Sequence, residues 1–134
     1  MHTMQMLYCY VDGSDNHTIE PLLIDAFSAL VANWAPYRAV LVNDQQAHTL
    51  QMGHDDLSDW FIGLNLPLNQ VGPLQITQLI ACAKGLAGAT GRDFVVGITL
   101  KSGLSEDLLF LDENACEADG QRLLTMLEGE GHGA

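Results

Sequence analysis

Between residues 19 and 34 the apolar side chains Ile19, Leu22, Leu23, Ala26, Phe27, Leu30, Val31 and Trp34 recur at helical spacing. Only a 3.6-residue repeat gathers such a set on one face, so the spacing predicts an amphipathic helix with its stripe buried against another layer. Glu20, Asp25, Ser28 and Asn33 fall off the stripe. Asp15 or Thr18 is the expected N-cap, because a short polar side chain there accepts from a backbone N–H of the first turn. Pro21 is tolerated in that turn, where its missing N–H would have no partner, and Pro36 ends the helix.

The layer that the stripe covers is supplied by runs of period two. In residues 4–11, Met4, Met6, Tyr8 and Tyr10 point one way and Leu7, Cys9 and Val11 the other, so both faces are apolar and a central strand is expected. Residues 38–43 make a second β-run, and 47–52 a third with His48, Leu50 and Met52 on one face. From Trp60 the alternation is clean: Trp60, Ile62, Leu64, Leu66 and Leu68 against Phe61, Gly63, Asn65 and Pro67. Pro67 has no N–H for a ladder, which puts this strand at an edge or ends it there. Gly72-Pro73 opens a second helix carrying Ile76, Leu79, Ile80, Ala83 and Ala87, and Gly85, Gly88 and Gly91 are expected to stop it. Residues 94–100 read as a strand with Gly97 as a bulge or a close-approach site, and 108–111 as its return. Asn114, with Glu117 three residues on, marks the start of a last helix that reaches Glu128 and is buried through Leu123 and Leu127. The fold expected is α+β, in the order βαββ-βαββ-α. Closely spaced strands pair as hairpins, giving a largely antiparallel sheet with helices mainly on one face. Residues 1–128 form one domain and 129–134 a flexible tail.

Charge narrows the partners. Seventeen Asp and Glu stand against five Lys and Arg, the latter being Arg38, Lys84, Arg92, Lys101 and Arg122. Phosphate backbones and anionic lipid surfaces need clustered cations, so neither nucleic acid nor membrane is expected as a partner. A cationic protein is favoured instead, with association accelerated roughly 10–10³-fold at low salt. The same charge also keeps a protein soluble without any partner. Cys9, Cys82 and Cys116 make neither a CxxC pair nor a disulfide framework. Reduced thiols, no cationic n-region at the N-terminus and no apolar stretch near the ~20 residues of a membrane span together point to the cytoplasm.

Chemistry-bearing patterns are weak. His54-Asp55-Asp56-Leu57-Ser58-Asp59, with His48 upstream, is the densest polar cluster, but it matches neither HExxH nor an EF-hand. Its DDxxD letters resemble the magnesium motif of prenyl-diphosphate enzymes, which sits on a long helix of an all-helical fold, unlike this short β-rich chain. Asp12-Gly-Ser-Asp-Asn16 lacks the remaining ligands of a calcium loop. The glycines 85, 88 and 91 follow a helix, whereas a phosphate loop precedes one. There is no Gly-x-Ser-x-Gly elbow, and no cation is visible to activate the cysteines. No catalytic residue, cofactor or metal is expected.

In size, charge and expected compartment the chain is similar to small bacterial immunity and antitoxin proteins, which neutralise nucleases or other toxins by covering cationic active sites. That resemblance implies a non-catalytic inhibitor whose partner presents a basic surface. Other readings are a nucleic-acid mimic, an adaptor associating near Trp60-Phe61, and a ligand-binding domain or enzyme with a pocket between sheet and helices lined by Tyr8, Tyr10 and His48. Partner contacts are expected where acids meet large apolar groups. One such segment is Asp55, Asp56 and Asp59 running into Trp60 and Phe61. The other is Glu106, Asp107, Asp112 and Glu113 around Phe110. If Trp60 joins Ile62 and Leu64 in the core, Phe61 faces outward, and the reverse register would expose Trp60; either leaves one aromatic ring beside Asp55, Asp56 and Asp59.

Overall fold

A computed structural model describes residues 5–13, 15–45 and 60–129. Along the chain run β1 (Met6–Val11), α1 (Glu20–Asn33), β2 (Val40–Gln45), β3 (Trp60–Pro67), α2 (Pro73–Thr90), β4 (Phe94–Thr99), β5 (Ser105–Leu111) and α3 (Glu117–Gly129). Single 3₁₀ turns follow α1 and β3. The strands form one antiparallel sheet in the order β2-β3-β1-β4-β5, the α+β architecture expected. The run expected over 47–52 lies outside the described residues. β2 and β3 pair directly, with Gln45 opposite Trp60.

β1 is the middle strand, as its two apolar faces require. Leu7, Cys9 and Val11 point into the core with Ile62, Leu64 and Leu66 of β3 and Val96 and Ile98 of β4. The helices cover that side of the sheet: Leu23 and Phe27 from α1, Ile76 and Leu79 from α2, and Leu123 and Leu127 from α3 join the same cluster. Each such side chain contributes about 1.5–3 kcal/mol when taken out of water. Trp34, just past α1, is buried and donates its indole N–H to Gln78 Oε1 of α2 at 2.6 Å. That bond satisfies the one polar atom of a large buried ring.

Local details depart from the periodic reading. Leu22 is 44% exposed, so the buried face of α1 is narrower than the eight-residue stripe. No side chain caps α1; the backbone carbonyl of Asn16 accepts from the N–H groups of Ile19 and Glu20 instead. α2 runs through Gly85 and Gly88 to Thr90, and Gly91, with φ +71°, is the residue that ends it. α3 is capped not by Asn114 but by Asp119, whose carboxylate accepts the Cys116 N–H at 2.9 Å. β3 lies between β2 and β1, so Pro67 marks the end of an interior strand. β5 begins at Ser105, three residues before its apolar part.

Candidate partner-binding face

The pleat sends alternate residues to the side of the sheet away from the helices. Tyr8 lies opposite Asn65 of β3 and Gly97 of β4, and Gly97 in turn lies opposite Asp107 of β5. Tyr10 lies opposite Val95, and Val95 opposite Phe110. Neither tyrosine therefore lines a space between sheet and helices; both belong to the outer face. His48, the third residue expected beside them, is outside the described residues.

Gly97 sits at a register shift between β4 and β5 and lets the Tyr8 ring lie across the strand. A Cβ at this position would overlap the Tyr8 phenol and the Glu106 carbonyl. The ring spans β4, and its hydroxyl donates to Asp107 Oδ1 at 2.5 Å. Burial, then the hydrogen bond and negative charge of Asp107, push the Tyr8 phenol well above its ordinary range. Burial also raises Tyr10, whose hydroxyl donates to Asn65 Oδ1 at 2.7 Å. Both phenols stay protonated at neutral pH and act as hydrogen-bond donors.

The rings form a continuous aromatic row. Tyr8 and Tyr10 stack at 5.0 Å and 12°, and Tyr10 meets Phe61 at 5.6 Å and 55°. Beside the row is a concavity of about 400 Å³ whose lining includes Tyr8, Tyr10, Phe61, Val95, Asp12 and Asp107. Its charged lining residues, among those described, are the two aspartates. Arg92 lies against the same loop at Gly13, and its guanidinium donates to the backbone carbonyls of Asp12 and Asp15, both at 2.8 Å. Between described residues the one ion pair is Arg122 with Asp119, at 3.4 Å.

The expected contact residues separate in space. Phe61 is 41% exposed and Phe110 54% exposed, both on the outer face. Trp60 is 4% exposed, because it shares the parity of Ile62 and Leu64; its indole donates to Asn43 Oδ1 at 2.7 Å. Trp60 is therefore a largely buried residue that also forms part of the lining of the concavity. Asp107 lines the concavity, whereas Glu106, one residue away, projects to the opposite side of the pleat. Asp112 and Glu113 line a separate hollow of about 220 Å³ with Arg92 and Asp93. Asp55, Asp56 and Asp59 lie outside the described residues. Val95 belongs to the site without any local signal that marks it, whereas Gly97 is both the bulge and the close-approach position expected from the sequence.

Two of the three cysteines are held inert, and the third, Cys116, is exposed. Burial pushes Cys9 far up and raises Cys82 to about 11, so both are protonated thiols at neutral pH. Among the described residues no set of three or more His, Cys, Asp and Glu is placed to hold a metal, and no helix is long and apolar enough to cross a membrane. No family model, curated protein or solved structure matches this chain.

Proposed function

We propose that this chain is a non-catalytic acidic protein-binding protein that covers a basic site on another protein with the outer face of its sheet. The observation that carries this reading is the placement of exposed Phe61 and Phe110 on one face, which no described helix covers, with the Tyr8–Tyr10 stack and Asp107. Interfaces draw most of their energy from a few central aromatic or arginine anchors, while surrounding charge governs approach and register. A face with rings at its centre and carboxylates beside them has that composition, with the sign that suits a cationic surface. The buried thiols and protonated phenols favour binding over nucleophilic chemistry. Inhibition of a toxin or nuclease, in the manner of immunity and antitoxin proteins of the cytoplasm, is the specific form of binding that we infer.

The test is affinity capture with the wild-type chain and with a Phe61→Ser/Phe110→Ser variant of unchanged circular dichroism. A partner of basic surface should be retained by the wild type and lost by the variant, and its association rate should fall as salt is raised. A partner that binds both proteins equally well would overturn the assignment to this face.

A further inference from the structure

Resting on that reading of the face, we propose that the concavity beside Tyr10 and Phe61 receives the guanidinium group of an arginine presented by the partner protein. Three independent features converge on this chemistry. The first is shape. A hollow of about 400 Å³ is at the lower end of the roughly 300–1,000 Å³ typical of built ligand sites, so it suits one side chain and not a broad surface. The second is the wall. Tyr10 and Phe61 meet at 55°, and Phe61 is exposed, so an aromatic face is open to an incoming flat cation.

The third feature is the sign of the lining. Asp12 and Asp107 line the hollow, and no described Lys or Arg does. Arg92 donates to the carbonyls of Asp12 and Asp15 and keeps its positive charge beside Asp12, so the carboxylate that carries the proposal is Asp107; Lys84 lies in a different groove between α2 and α3. Tyr8 fixes the Asp107 carboxylate by donating to Oδ1, and among the described residues Oδ2 has no hydrogen-bond donor that would compete with a ligand. A guanidinium fits this arrangement better than an ammonium. It is planar, stacks on rings and offers several N–H groups in a fixed fork, whereas the lysine head is a compact, strongly hydrated point charge. A second copy of this chain is a poor donor, since seventeen acids against five bases make two such surfaces repel.

The experiment is a titration of the full chain, followed by aromatic and amide NMR shifts, with blocked tripeptides whose central residue is arginine, lysine or citrulline. Citrulline keeps the shape of arginine and removes the charge. The arginine peptide should shift Tyr8, Tyr10 and Phe61 and bind about tenfold or more tightly than the citrulline peptide, with lysine between them. Asp107→Asn keeps an acceptor for Tyr8 and should weaken arginine binding by about tenfold. Gln121→Ala, in the separate groove between α2 and α3, should leave peptide binding unchanged. Equal binding of arginine and citrulline peptides, or no shift at Tyr10 and Phe61, would overturn the proposal. If partner capture were still lost in the Phe61→Ser/Phe110→Ser variant, such a result would leave the broader reading of the face standing. Free agmatine binding as tightly as the arginine peptide, with no partner requiring the face, would overturn both by assigning the hollow to a small cation.

Discussion

Tyr8 and Asp107, 99 residues apart in the chain, are joined by a 2.5 Å hydrogen bond that bridges β1 to β5 over the intervening strand β4. The bridge ties the centre of the sheet to one edge and positions the carboxylate that the outer face offers to a partner. It exists because position 97, beneath the phenol, carries no side chain.

Gly97→Ala should therefore be costly for a single methyl group. The new Cβ meets the Tyr8 phenol and the Glu106 carbonyl, and the backbone oxygen cannot swing away as a side chain can. Overpacking of this kind typically costs about 1–3 kcal/mol. Urea denaturation should show the loss, and combining it with Tyr8→Ala should recover only part, since the clash with the carbonyl remains. A Gly97→Ala protein as stable as the wild type would contradict the close approach.

Stability should fall at alkaline pH. The folded state raises Cys82 from 9.0 to about 11 and shifts Tyr8 and Tyr10 upward from 10.0. A raised pKa means that the native state holds its proton more tightly than the unfolded chain. The contribution is complete below the unfolded values and is lost as pH climbs through the folded ones. Urea midpoints should thus be level between pH 7 and about 8 and decline from about pH 9 upward. Tyr8→Phe, which has no phenolic proton to lose, should flatten the decline above about pH 10. An unchanged slope in that variant would exclude Tyr8 as a contributor.

Arg92→Met should loosen the turn between β1 and α1. The guanidinium closes on the carbonyls of Asp12 and Asp15, and it packs against Gly13, which has a φ of +110°. The bonds are exposed, so the loss should be about 1 kcal/mol, but amide exchange in residues 12–16 should quicken more than in the core. Arginine-peptide binding should survive with a smaller loss than Asp107→Asn produces, since Arg92 acts on the loop and not on the ligand.

Much of this fold was legible in local periodicity. The parity of residues 4–11 and 60–68 separates core from outer face, and it turns Trp60 inward and Phe61 outward in the structure. Such patterns survive because burial acts on each side chain according to its position within its own element. The acidic start of β5 was not legible: Ser105, Glu106 and Asp107 pair with β4 at an exposed edge, where the apolar alternation that reveals a strand is absent. The passage of α2 through Gly85 and Gly88 was hidden as well, because packing by Ile76, Leu79 and Ala83 outweighs the roughly 1 kcal/mol helix cost of each glycine.

By itself, then, the sequence determined the element types, the antiparallel α+β class, the buried set and the sign of the surface. These follow from spacing and composition, which are properties of short stretches. Only the tertiary structure decided that β1 lies between β3 and β4, and so that Tyr8, Tyr10, Phe61 and Asp107 share one face. That placement depends on cross-strand register between segments up to about a hundred residues apart. Local parity restricts each strand to registers that bury its apolar side, but which strands become neighbours is decided only when the sheet packs against its helices.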